Sequence, residues 1–197
     1  MIMEIIIQTA NERHEEYAVQ ICALIEISAK ERGTGIAKRE PEYIKTKLRN
    51  QNAVIALLED ELVGFCYIEV WSHGKYVANS GLVIEPKYRQ LGLAKKLKKA
   101  AFDLSQEKYP DAKLFGITTS LPVMKINSSL GYQPVTFSEL TQDEAFWAGC
   151  MSCKNYDILE RNDKKMCLCT AMLAPSKNEA KIQHDLTHLI VTSTNEK

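Results

Sequence analysis

Apolar and polar positions along the chain follow two different periods, and the switches between them mark out its elements. Residues 2–8 form an apolar, β-rich run. A helix follows, capped by Thr9 or Asn11, with Glu12 in its first turn where a carboxylate meets the positive end of the helix dipole. Tyr17, Ile21, Leu24, Ile25 and Ser28 recur at helical spacing and predict one packing face. Gly33 and Gly35 end this helix. Pro41 opens a second, shorter one at a position where its missing N–H costs nothing. Two β-rich runs, 53–58 and 62–71, flank Glu59, Asp60 and Glu61 and predict a hairpin. A strand over 77–84, a loop over 86–90 and a long amphipathic helix over 92–108 come next. The pattern continues with a strand over 113–120 and a short helix over 122–130, stopped by Gly131. Residues 134–138 and 166–174 read as two more strands.

This order predicts an α/β (α+β) fold. Strand–helix–strand units in the middle imply local parallel pairing and the hairpin is antiparallel, so the sheet is mixed, mostly antiparallel, with helices on both faces. We expect one domain over 1–174, with a cysteine-containing insertion at 139–165, and a polar tail over 175–197. In the tail, Ile182, Leu186 and Ile190 have the spacing of a weak amphipathic helix, which permits a homodimer.

Composition narrows the function classes. The 197 residues are 45% hydrophobic and 25% charged, ordinary for a globular chain able to bury a core. Lys plus Arg equals Asp plus Glu, so the zero net charge favours neither nucleic acid nor an anionic membrane, and any phosphate must be held locally. No apolar run approaches the ~20 residues a bilayer needs, and the first residues lack a basic region and a small-residue cleavage site. The expectation is a cytoplasmic protein whose six cysteines are reduced or metal-bound.

The most informative segment runs from Leu82 to Leu97, where a strand enters a tight loop and the loop opens a helix. Unpaired N–H groups at such a helix start, with the positive end of the dipole, suit a pyrophosphate. Gly92 and Ala94 are small enough for close approach, and Arg89 can add charge-assisted hydrogen bonds. Arg89-Gln-Leu-Gly92-Leu-Ala94 resembles the Arg/Gln-x-x-Gly-x-Gly/Ala motif of the GNAT acetyltransferase superfamily. Asn127-Ser-Ser-Leu-Gly131-Tyr132 resembles that family's Leu-Gly-Phe/Tyr helix end, one strand and one helix downstream.

The resemblance implies a GNAT-like sheet and an acyl-CoA donor, acetyl-CoA or succinyl-CoA. It implies that backbone groups at Ile84 meet the pantetheine and polarise the thioester carbonyl. Residues 89–95 (Arg89, Gln90, Leu91, Gly92, Leu93, Ala94 and Lys95) would hold the pyrophosphate, and Asn127 would lie near the thiol end. Lys95, Lys96, Lys98 and Lys99 read mainly as a solvated basic helix face.

Acyl transfer to an amine needs a base, an oxyanion donor and tolerance of the departing thiolate. Many members of the family carry a tyrosine as the thiolate's acid where this chain has Asn127, which has no titratable proton. Ser128, or a water, is the substitute expected. Glu69 and His73 are the candidate bases, with a water chain as the alternative. For a carboxylate-bearing acceptor the cations at hand are Arg32, Lys38, Arg39 and Lys75. The stretches 29–38 and 73–81 resemble short bacterial GNAT proteins that acylate glutamate in arginine biosynthesis, which implies L-glutamate as the small-molecule acceptor. Another small or protein amine, or a non-catalytic CoA-binding module, are the rival readings. A partner-docking role for the insertion is a third.

Cys150, Cys153, Cys167 and Cys169 put four thiols within twenty residues, enough for a structural zinc site, with Cys167 and Cys169 pointing the same way if they share a strand. The alternatives are inward packing of Cys167 and Cys169, or redox pairing of Cys150 with Cys153. His184 and His188 are a further helical pair able to replace two ligands.

Overall fold

The computed structural model describes residues 4–32 and 38–182, excepting the side chain of Arg32. The expectations placed on Arg32's side chain, on Gly33 and Gly35, and on Leu186, Ile190, His184 and His188 lie outside the described residues.

Seven strands form one sheet in the order β1-β2-β3-β4-β5-β7-β6. They are β1 (Ile5–Thr9), β2 (Ala53–Leu58), β3 (Glu61–Trp71), β4 (Tyr76–Ile84), β5 (Lys113–Thr118), β6 (Gln133–Val135) and β7 (Thr170–Ala174). Every neighbouring pair is antiparallel except β4 with β5. The sheet is thus mixed and mostly antiparallel, as its pattern predicts.

Helices α1 (Ala18–Arg32) and α2 (Pro41–Arg49) cover one face and α3 (Leu93–Lys108) the other. The alternation along β2 explains both cores. Ala53, Ile55 and Leu57 pack under Ile21, Leu24, Ile25, Ile44 and Leu48, whereas Val54 and Ala56 pack under Leu93, Leu97 and Ala101. Because β2 is buried on both sides, it is apolar throughout rather than alternating. Asn11 begins the first helical segment as a 3-10 turn (Glu12–Tyr17), its side chain accepting from the Arg13 N–H at 3.0 Å. Tyr17 therefore ends this turn rather than lying in α1.

A shorter helix α4 (Leu121–Ser129) precedes Gly131, whose φ is +92°. The insertion folds as two short helices, α5 (Glu144–Ala148) and α6 (Tyr156–Arg161). Trp147 and Leu159 bring them onto Ala78, Phe115 and Ala171 at the β4–β5–β7 end of the sheet. The Trp147 indole N–H donates to Thr141 O at 3.0 Å, and Ser72 Oγ meets Thr141 Oγ1 at 2.7 Å, fixing the insertion to the β3–β4 turn. Among the described residues no helix is long and apolar enough to cross a membrane.

Candidate functional site

Two features of β4 create an opening in the sheet. The first is a bulge against β3, where Phe65 pairs with Val83 but Tyr67 with Ser80. Gly81 sits in it with a φ of +64°. The second is the short pairing with β5, which covers Tyr76 to Ala78 against Lys113 to Phe115 and then stops. Beyond Ala78 the strands diverge, β4 staying with β3 and β5 with β7. The gap between Ser80–Leu82 and Gly116–Thr119 opens into a cavity of about 470 Å³.

At one end of this opening lies the loop predicted to hold phosphate. Ile84, the last residue of β4, is buried. A 3-10 turn (Pro86–Tyr88) follows, pinned by an ion pair of Lys87 with Glu61 and by Tyr88 Oη donating to Glu61 at 2.8 Å. Gln90 and Gly92 take left-handed φ values of 67° and 74°, so the chain turns tightly into α3. Arg89, Gln90, Leu91 and Gly92 are exposed, and nothing lies within 4 Å of a Cβ built on Gly92. The first-turn N–H groups of α3, Leu93, Ala94 and Lys95 among them, have no partner within the helix and face this open loop. Arg89 is not a free guanidinium: its Nε donates to Ile84 O at 3.2 Å and its Nη1 pairs with Glu31 at 2.6 Å.

On the β3 side the cavity is lined by Lys38, Arg39, Tyr43, Tyr67 and Glu69. Glu69 is 8% exposed, accepts a short hydrogen bond from Tyr43 Oη, and has Lys47 Nζ at 3.4 Å. Burial, reinforced by the neighbouring Tyr67 and Glu69, raises the Tyr43 phenol well above the usual range, so it donates to Glu69 as a neutral hydroxyl. Arg39 Nε donates to Tyr67 Oη at 2.8 Å, and its guanidinium lies 5.3 Å from the Tyr43 ring centroid. Burial pushes the Tyr67 phenol up to about 12, with Glu69 adding to the effect. A carboxylate acceptor of protons and a cation thus face the same space.

The insertion, with the end of β3 and with β5, forms a further part of the cavity wall. Trp71, Phe115, Phe146, Trp147 and Tyr156 make it strongly aromatic, with Phe146 edge-on to Trp71 at 5.5 Å and to Phe115 at 5.0 Å. Cys150, Cys153, Cys167 and Cys169 also line the cavity. They do not form the expected zinc arrangement, since among the described residues no three His, Cys, Asp or Glu side chains converge as a metal site. The physical reason is local. β7 begins only at Thr170, so Cys167 and Cys169 lie on irregular chain and the same-face geometry of a strand does not apply. Burial, followed by the mutual proximity of the thiols, raises Cys150 to about 11 and Cys169 to about 12.

The remaining candidates divide clearly. His73 and Lys75 are exposed in the β3–β4 turn and do not line the cavity. His73 takes a left-handed φ of 55° in a turn anchored through Ser72, which directs it outward. Ser128 is exposed on α4 and is not among the residues lining the cavity. Asn127 is 1% exposed; its Nδ2 lies 3.6 Å from Met172 Sδ, and its Oδ1 is buried without a hydrogen-bond partner among the described residues.

Sequence reading missed Tyr43, Tyr67 and the aromatic wall, and it misjudged Lys98. Far from a solvated position, Lys98 is 2% exposed and lines the cavity. Its spacing carried the signal: Lys98 lies four residues after Ala94, three before Ala101 and seven before Ser105, in the buried phase of α3.

Known structures share this architecture. N-acetylglutamate synthase from Neisseria gonorrhoeae, complexed with coenzyme A and N-acetyl-glutamate, matches 88% of this chain at 16% identity and a TM-score of 0.63. This chain spans only 35% of that protein's length. An acetyltransferase of the GNAT family from Staphylococcus aureus matches 87% of the chain over 99% of its own, at 14% identity and a TM-score of 0.60. The ribosomal-protein-S18-alanine N-acetyltransferase from Escherichia coli matches 88% over 94%, at 12% identity and a TM-score of 0.55. No curated protein sequence matches significantly. At these identities the structures speak to fold, but the sequence model of the acetyltransferase (GNAT) family matches residues 22–120, half the chain, and spans α2, the sheet opening, the α3 loop and β5. The chain therefore belongs to the acetyltransferase (GNAT) family.

Proposed function

We propose that the protein moves an acyl group from acetyl-CoA or succinyl-CoA to the primary amine of a small, carboxylate-bearing acceptor. The observation that carries this reading is the joint presence of Glu69 and Arg39 on one cavity that opens through the split between β4 and β5. The pyrophosphate sits on the first turn of α3, held by the 89–95 backbone, and the pantetheine arm follows the opening past Ile84 and Ser80. Arg39 receives the acceptor's carboxylate, with Lys38 beside it at the cavity edge. Glu69, kept in position by Tyr43 and Lys47, takes a proton from the ammonium so that the amine can attack the thioester.

L-Glutamate is the leading acceptor. The resemblance of the 29–38 and 73–81 stretches favours it, and so does the likeness in fold to a synthase crystallised with N-acetyl-glutamate. The aromatic wall of Trp71, Phe146 and Trp147 favours a second acceptor, an amino acid with an aromatic side chain carried on the same amine–carboxylate frame. Thiol release separates the readings. Acetyl-CoA and succinyl-CoA are each mixed with protein alone, with L-glutamate, and with L-phenylalanine or L-tryptophan. Amine-dependent release that Arg89→Ala/Gly92→Glu abolishes supports the reading and names the acceptor. CoA binding without release for any amine would make the protein a CoA-binding module and end the catalytic proposal.

A further inference from the structure

The mechanism above lacks a group to meet the departing thiolate, because Asn127 cannot give up a proton and Ser128 is off the cavity. Lys98 is buried where such a group is needed. Its Nζ donates to Asn79 O at 3.2 Å and lies 5.6 Å from the Tyr132 ring centroid. Asn79 is the first β4 residue past the last pair with β5, and Gly116 is its counterpart on β5, so the two mark the apex of the opening. A Cβ on Gly116 would stand 3.7 Å from Asn127 Nδ2 and 4.0 Å from Lys98 Nζ. The ammonium and the amide therefore border the same small space, kept open by a glycine.

We propose that Lys98 is the proton donor to the leaving CoA thiolate. The assignment rests on the reading of this cavity as the acyl-transfer site. A donor with its pyrophosphate at the start of α3 and its arm along the opening carries its sulfur toward this apex. When the tetrahedral intermediate collapses, the C–S bond breaks and its electron pair leaves on sulfur. One Nζ proton passes to that sulfur, giving the CoA thiol and a neutral lysine. The acceptor nitrogen gives up two protons in all, one to Glu69 before attack and a second to water once the C–N bond has formed; one is the net proton released to solvent, and the other, through water, restores Lys98.

The surroundings of Lys98 fit this task. The titratable groups facing it are Cys66 on β3 and Tyr132 after α4, and burial raises both, so both are neutral near pH 7. Three of the polar side chains beside it, Asn79, Ser105 and Tyr132, are already committed to one another or to the backbone. Asn79 Nδ2 donates to Ser105 Oγ at 2.8 Å, Ser105 Oγ donates to Ala101 O at 2.8 Å, and Tyr132 Oη donates to Asn79 Oδ1 at 3.0 Å. The ammonium has three donors, and Asn79 O takes one. Burial lowers Lys98 to about 8, close to the roughly 8.5 of an ordinary alkyl thiol, the matching that makes proton transfer efficient.

Lys98→Met and Lys98→Arg test the assignment, with near-ultraviolet circular dichroism to verify folding and Lys98→Arg as the charge-retaining control. We expect kcat for CoA release to fall by about 30-fold or more in Lys98→Met with the KM for acetyl-CoA little changed, and the alkaline limb near pH 8 to vanish in both variants. A second readout needs no acceptor. In the complex with free CoA, the thiolate absorbance should titrate about one unit lower in wild type than in Lys98→Met. Equal titration midpoints, or an unchanged alkaline limb, would overturn the proposal. Should wild type turn over no amine while the bound thiol still titrates low, the acceptor reading fails and the assignment of Lys98 to the thiol stands.

Discussion

The ring of Tyr67 fills the space that a side chain at Gly81 would need: a Cβ built there would stand 2.7 Å from Tyr67 Cδ1 and closer still to Cε1. Tyr67 also accepts from Arg39, so one ring shapes the β4 bulge and supports the cation proposed to receive the acceptor's carboxylate. Gly81→Ala would combine this clash with a left-handed backbone. We expect a loss of about 2–4 kcal/mol, a fall in Tm of roughly 5–15 °C by calorimetry, and a raised acceptor KM.

Glu69→Gln keeps the shape of the cavity wall and the contact with Tyr43 but removes the proton acceptor. The expected result is a fall in kcat of about 100-fold or more, with CoA affinity within about threefold of wild type by calorimetric titration. Retained turnover would shift the base to a water chain.

Lys98 makes stability depend on pH in a definite direction. Its folded-state value, lowered to about 8 by burial, lies below the roughly 10.4 of the unfolded chain. Between those values the unfolded state binds more protons, so stability rises with pH across the window, and below pH 8 the buried charge costs its full amount. Denaturant melts at pH 7.5 and 10 should differ by up to about 3 kcal/mol from this residue. Lys98→Met should flatten that difference and be more stable near neutrality.

Two thiols of the cavity, Cys150 and Cys169, should behave as half-buried hydrophobes rather than as nucleophiles. Cys150 and Cys169, raised to about 11 and 12, should resist iodoacetamide at pH 8, and reduced protein should carry well under one equivalent of zinc by elemental analysis.

The strands and helices that carry these sites were legible in the chain because each buries a face of fixed period. The 3.6-residue spacing of α3 and the apolar run of β2 needed no tertiary knowledge. The α3 loop was legible too, since a strand running into a tight loop with small residues at a helix start is a local pattern. The cavity was not. Tyr43, Glu69 and Trp147 come from three distant segments: a hydrogen bond joins the first two, and the packing of the insertion against Phe115 brings Trp147 to the same space. His73 and Lys75 drew attention as loop residues of suitable chemistry, but the direction of a turn is set by its anchor, here the Ser72–Thr141 contact. Lys98 was misread because charge was weighed above helical phase.

The brief pairing of β4 with β5 has a mechanical consequence. Three register pairs join a four-stranded half, β1 to β4, to a three-stranded half, β5 to β7, and elsewhere the two halves are bridged by α3 and the insertion. A donor whose pantetheine amides lie along that gap works as mortar between two slabs, restoring hydrogen bonds that the polypeptide itself forgoes. Cofactor loading should therefore stiffen the molecule as a whole: amide exchange should slow on both sides of the seam, at Ser80–Leu82 and Gly116–Thr118 together, and not merely at the loop that grips the phosphates.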